Sequence, residues 1–207
     1  MRTRVSVVLS SAVMALVTGL GVSTAAATAT TTWTITPGGA VTAGAAQMLL
    51  KDMTTGRLLT CVSSAIGGRL KSGTGLSSPL GTITSASFTG CLQPRLGFFT
   101  VTASASAGNP WVLRGFTYSG GVTHGRITNI QLSFSTSGCS GTVGGAVPAS
   151  AGQVSAVFAN SAHALTPGAG NLHMWNVSGC MGLFRSGNTF KIIVKYPTSP
   201  AQTITSP

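Results

Sequence analysis

Acidic residues are almost absent from this chain. Its 207 residues include one carboxylate side chain, Asp52, and no glutamate, against twelve lysines and arginines. Most glycosidases and all aspartic proteases work with a pair of carboxylates. Calcium loops and two-metal sites need several oxygen ligands. One aspartate excludes all of these. Charged residues make up 6% of the chain, where ordinary soluble domains carry roughly 25%. Helical bundles rich in Glu and Lys are therefore excluded too. No G-x-S-x-G elbow, no G-x4-G-K-[ST] loop and no G-x-G-x-x-G turn between a strand and a helix occurs. A Ser-His-Asp arrangement would have to orient His124, His163 or His173 with Asp52. Asp52 follows Lys51 in a hairpin-like stretch and reads as a solvated charge near a turn. His173 and Met174 would point to opposite faces of a strand and cannot chelate together. His163 and His173 match no compact ligand spacing. No catalytic residue, metal ligand set or cofactor is expected, and the protein reads as a non-enzyme.

What remains is hydroxyl, glycine and apolar content. Serine and threonine supply 54 residues and glycine 28, while 43% hydrophobic content suffices for a core and argues against disorder. The first residues have the form of a secretory signal. Arg2 and Arg4 precede an apolar run from Val5 to Val22, and Ala25-Ala26-Ala27 fits a cleavage site, with Ala27-Thr28-Ala29 close behind. The reading is a signal peptide over 1–27 and a single β domain over 28–207. Left uncleaved, the same run is just long enough to anchor in a bilayer. No later stretch is long and apolar enough to span one. Removal of Arg2 and Arg4 leaves a net charge of +9.

Cys61, Cys91, Cys139 and Cys180 all follow this segment, and an even count in an exported chain reads as two disulfides, with three pairings open. Close ligand pairs of the C-x2-C kind, usual for zinc, are missing. The rest reads as short alternating strands: 32–36, 81–88, 99–102, 111–118, 126–134, 153–158, 172–177 and 190–196. They are separated by turn signals such as Pro37-Gly38-Gly39, Gly67-Gly68, Ser119-Gly120-Gly121 and Pro167-Gly168. Met48 to Met53 and Arg57 to Ser63 read as a hairpin. The fold class expected is all-β, an antiparallel sandwich or flattened barrel.

Two pseudo-repeats, about 40–104 and 105–198, are suggested by similar surroundings of the cysteines. Gly81 and Gly170 each stand ten positions before a cysteine that ends a Thr/Ser-Gly-Cys sequence. If the halves are copies, each holds its own bridge, Cys61–Cys91 and Cys139–Cys180. Trp111, Phe116, Phe134, Phe158 and Phe190 are expected in the core. Trp33 and Trp175 are the candidates for exposed contact residues.

The cations are the one strong electrostatic property. They are spread singly, with Arg69 and Lys71, and Lys191 and Lys195, placed to share a strand face. These four are the candidate anion-binding residues. The matching partners outside a cell are an anionic wall polymer, an acidic extracellular polysaccharide, lipid headgroups or extracellular DNA. No motif for a specific nucleic acid is present. Dispersed cations equally serve solubility. Oligomeric state is not legible.

Several segments resemble a family of secreted proteins of actinobacteria, Streptomyces-like, without an established activity. They are Thr32 to Gly39, Leu59-Thr60-Cys61, Leu70 to Leu76, Asn171 to Cys180 and Ser199 to Pro207. The resemblance spans the mature chain and implies export and a β-rich fold. A fainter likeness in layout, carried by the Phe88-Thr89-Gly90-Cys91 strand end and by Pro110-Trp111, is to small secreted activators of alkane oxidation in pseudomonads. The expectation is an exported structural or adhesive protein of the cell wall or extracellular matrix. The alternatives are a module for a small apolar ligand, with a pocket beside Trp111 or Phe134, and a secreted hydrolase.

Overall fold

The computed structural model describes residues 31–207, so the expected signal peptide and both cleavage positions lie outside the described residues. Alternation of apolar and polar side chains is carried directly into strands. The 48–52 strand buries Met48, Leu50 and Asp52 and turns Leu49 and Lys51 outward, and the 152–159 strand alternates in the same way. In chain order the strands are β1 (Trp33–Thr36), β2 (Gly39–Ala45), β3 (Met48–Asp52), β4 (Leu58–Leu70), β5 (Gly73–Leu76) and β6 (Gly81–Gln93). They continue as β7 (Gly97–Ala103), β8 (Trp111–Ser119), β9 (Val122–Ile130), β10 (Leu132–Thr136), β11 (Cys139–Gly144) and β12 (Gly152–Ala159). The last are β13 (Ala164–Gly170), β14 (Leu172–Gly179), β15 (Thr189–Ile193), β16 (Tyr196–Ser199) and β17 (Thr203–Thr205). A single 3-10 turn, Cys180–Gly182, follows β14.

Strands β2 to β4 and β6 to β16 close into one antiparallel ring, and β4 and β6 also pair with each other along their length. These two are the longest strands, 13 residues each. The first part of β4 pairs with β3 and the second with β2. The first part of β6 pairs with β8 and the last with β7. The β4–β6 ribbon thereby divides the ring into two circuits that share it. One runs β3-β4-β6-β7-β10-β11-β14-β15 and the other β2-β4-β6-β8-β9-β12-β13-β16. The all-β, flattened-barrel expectation holds.

Both disulfides are present with the pairing expected from the halves, Cys61–Cys91 and Cys139–Cys180. Within the first circuit, β3-β4-β6-β7 is followed by β10-β11-β14-β15. Each bridge ties the second strand of its group to the third or to the residue just beyond it. Phe99, Phe134, Phe184 and Phe190 fill this circuit with tilted and edge-on ring contacts at 6.0 to 6.4 Å. Leu113, Ile127, Phe158 and Leu165 fill the other.

The small sheet β17-β1-β5 lies against the second circuit. Trp33 of β1 packs where a Cβ on Gly115 would stand. The side chain of Asn160 binds both main-chain groups of Ile204 on β17: its Oδ1 accepts from the Ile204 N–H, and its Nδ2–H donates to the Ile204 carbonyl, both at 2.9 Å. Trp33 is therefore buried, 1% exposed, and is not the surface contact residue expected. Phe116, expected in the core, is 46% exposed. The β8–β9 register shifts between Gly115 and Thr117, and this bulge at Phe116 breaks the alternation that buries Trp111, Leu113 and Gly115.

Two of the expected turns lie inside strands. Gly67-Gly68 sits mid-β4 at a bulge, where a Cβ on Gly68 would collide with the main chain of Thr82. Pro167-Gly168 lies within β13, where Gly168 and Ala169 form a bulge opposite Ser155 of β12. The expected run 126–134 is split between β9 and β10.

Candidate functional site

Asp52 is fully buried, which corrects the reading of a solvated charge. Its Oδ1 accepts the main-chain N–H groups of Thr54 and Thr55 at 2.8 and 2.9 Å, and its Oδ2 accepts Nδ2–H of buried Asn188 at 2.6 Å. The carboxylate thus closes the β3–β4 turn and ties it to the start of β15. Carboxylates held by several N–H donors are strong structural anchors. The histidines lie apart: His124 on β9, His163 in the β12–β13 turn with Nδ1 against the Gln202 carbonyl at 2.8 Å, and His173 on β14. Among the described residues no three of His, Cys, Asp and Glu gather around a common point.

Since Asp52 is turned inward, the described surface offers its cations no side-chain carboxylate. Two of the strand pairings set cations directly opposite each other. Lys51 on β3 faces Lys191 on β15, and Arg114 on β8 faces Arg126 on β9. Directly opposed side chains on one sheet face have Cβ atoms roughly 4.5–5.5 Å apart, and like charges there destabilise the pairing. Both pairs point outward, because their strand neighbours Leu50, Ile192, Leu113 and Ile127 are buried. The Arg126 guanidinium lies 5.4 Å from the centre of the Phe116 ring, and its Nη1 donates to Gln153 Oε1 at 3.1 Å. That cation–π contact gives exposed Phe116 its neighbour.

The four cations expected to bind anions are placed differently. Lys191 belongs to the β3–β15 pair. Arg69 is exposed on β4, in register with Thr82. Lys71 lies beyond the end of β4 and donates Nζ–H to the Ser77 carbonyl at 2.7 Å. Lys195 is exposed in the link between β15 and β16, so it does not share a strand with Lys191. Sequence spacing along one strand missed Lys51, Arg114 and Arg126, because their partners come from neighbouring strands.

Beside the lysine pair runs an outward row across five strands of the first circuit. Phe98, Leu92, Thr60, Leu49 and Ile193 are successive cross-strand partners. Phe98 is 70% exposed, and Val62 on the same wall is 62% exposed. Thr60 interrupts the row at its centre, with exposed Phe98 and Leu92 on one side and half-buried Leu49 and exposed Ile193 on the other. Exposed apolar side chains grouped in this way mark contact surfaces.

Inside, the spaces beside Trp111 and Phe134 measure about 20 and 10 Å³. The space between Ala43, Ile66 and Phe158 measures about 40 Å³. A single water needs 10–15 Å³, whereas small-molecule pockets are about 300–1,000 Å³. The interior is packed solid where an apolar ligand was considered. Trp175, the other expected contact residue, is half-buried on β14, with its indole N–H donating to the Gly145 carbonyl at 2.9 Å. Comparison with protein families, with curated proteins and with solved structures finds no match to this chain.

Proposed function

We propose that this protein is an exported, non-enzymatic structural or adhesive protein that holds anionic polymers of the cell wall or extracellular matrix. The observation that carries the reading is the facing of like charges, Lys51 with Lys191 and Arg114 with Arg126, on a surface whose only carboxylate is turned inward. Each pair is unfavourable alone and becomes favourable when a polyanion lies across it. The apolar row beside Lys51 and Lys191 adds contact area of the kind an adhesive surface uses. Two disulfides and the signal-like first residues support export, as does the resemblance to secreted actinobacterial proteins. The filled interior gives the apolar-ligand alternative no comparable support.

The test is binding of the mature chain to immobilised dextran sulfate and purified teichoic acid, with neutral dextran as control. Binding is expected in roughly 50 mM salt and is expected to weaken steeply by about 500 mM, where screening is short-ranged. The double variants Lys51→Ser/Lys191→Ser and Arg114→Ser/Arg126→Ser should each reduce it. Absence of binding at the lower salt, or binding indifferent to both variants, overturns the proposal.

A further inference from the structure

A cleft of about 400 Å³ opens on the outer wall of the first circuit, next to the β11–β12 loop. Its floor is one cross-strand row. Thr102 on β7 faces Ser133 on β10, Ser133 faces Thr142 on β11, and Thr142 faces Trp175 on β14. The row spans three strand spacings, roughly 14 Å. Gln131 fixes the loop that walls the cleft by donating Nε2–H to the Ala149 carbonyl at 3.1 Å.

The aromatic end of this row is held in place. The Trp175 indole N–H is bonded to the Gly145 carbonyl, and the His173 ring stacks on it at 6.1 Å with planes 19° apart. Its main-chain carbonyl accepts the Thr142 hydroxyl at 3.2 Å. A bulge on β14 sets its direction. Between the pairs Ser140↔Ser178 and Thr142↔Trp175, β11 has one residue and β14 two, and Asn176 there takes a φ of 52°. In a regular strand, residues 175 and 178 would face opposite sides, and the extra residue brings both onto the outer wall. Bulges of this kind aim side chains beside binding sites.

The lining fixes the chemistry of the occupant. No charged side chain lines the cleft, so the ligand is neutral. The hydroxyls of Thr102 and Ser133 and the amide of Asn176 point to a partner rich in hydroxyl groups. A fixed indole asks for a flat apolar face as well. A pyranose ring has both properties, with C–H bonds on its faces and hydroxyls around its rim, and two to three linked rings have roughly the length of the row. We propose that this cleft binds a neutral oligosaccharide, stacked on Trp175 and hydrogen-bonded along the Thr102–Ser133–Thr142 row. The site is separate from the cationic pairs and does not depend on the polyanion reading.

The test is isothermal titration of the disulfide-intact chain with chitotriose, cellotriose and maltotriose. The variants are Trp175→Ala and Ser133→Arg, the latter filling the cleft from an exposed position. Intrinsic fluorescence gives a second readout. Trp33 and Trp111 are 1% and 5% exposed, so a ligand-induced change in emission or acrylamide quenching reports Trp175. Saturable binding of at least one trisaccharide is expected. It should be unchanged in roughly 500 mM salt and in Lys51→Ser/Lys191→Ser. Affinity should fall at least about 10-fold in both cleft variants. No binding of any of the three at about 10 mM, or affinity unaltered in Ser133→Arg, overturns the proposal whatever the polyanion assay gives.

Discussion

Asp52 supplies the acceptor for three N–H groups around the β3–β4 turn. Asp52→Ala leaves those donors facing a gap, and buried donors without partners cost about 1–3 kcal/mol each when water cannot reach them. A stability loss on the order of 3 kcal/mol is expected by urea unfolding. Asp52→Asn should lose less, because its remaining oxygen still serves Thr54 and Thr55. At this scale the sequence was partly misleading. Lys51 beside a predicted turn suggested solvent, yet β alternation also places residue 52 with Met48 and Leu50 on the buried face, and that periodicity was the better signal. Trp175 stays partly exposed, as its sequence suggests, and Trp33 does not. Both are single tryptophans in alternating runs, and only the small sheet packing over Gly115 separates their fates.

Elements were easier to read than their partners. The hairpin of β3 and β4, the strands around Trp111, Gln153 and Leu172, and the Cys61–Cys91 and Cys139–Cys180 bridges all follow from alternation and from the repeated cysteine surroundings. Bulges escaped, because Gly67-Gly68 and Pro167-Gly168 look in sequence like turns. The cross-strand charge pairs escaped as well, since register between strands far apart in the chain is not written in either strand alone. The bridges close loops of 30 and 41 residues in sequence separation. In the chain-entropy account, each contributes about 3–4 kcal/mol. Cys61–Cys91 crosses the ribbon common to both circuits. Cys61→Ala/Cys91→Ala should therefore lower hydrogen-exchange protection in both. Cys139→Ala/Cys180→Ala should lower it mainly in β11 and β14.

The whole molecule has one core that passes from circuit to circuit. Tyr196 sits at this junction, with its hydroxyl donating to Ser64 Oγ at 3.0 Å. Burial pushes the Tyr196 hydroxyl above the usual tyrosine range, and the Ser64 bond offsets part of that shift. The unfolded chain therefore ionises this group before the folded one does. Stability is fully present below about pH 10 and falls as pH rises from there toward the folded value. Tyr196→Phe should flatten this alkaline limb while lowering stability at neutral pH by about 1 kcal/mol, both readable from unfolding curves across pH. The shared ribbon was not legible in the sequence, where its two strands read as the shorter runs 57–63 and 81–88 and Gly67-Gly68 read as a turn. The small sheet has a further practical consequence. Strands β1 and β17 are antiparallel neighbours, and Ser206 Oγ donates to the Thr32 carbonyl at 2.8 Å. From there β9 leads away, with Thr123 bonded to Ile204 near its start and cleft residue Gln131 just past its end, roughly 25 Å of extended chain. A fluorescent or affinity tag joined ahead of Thr32 or after Ser206 would leave by the same door, on the side remote from Trp175, so either fusion should report ligand capture without obstructing it.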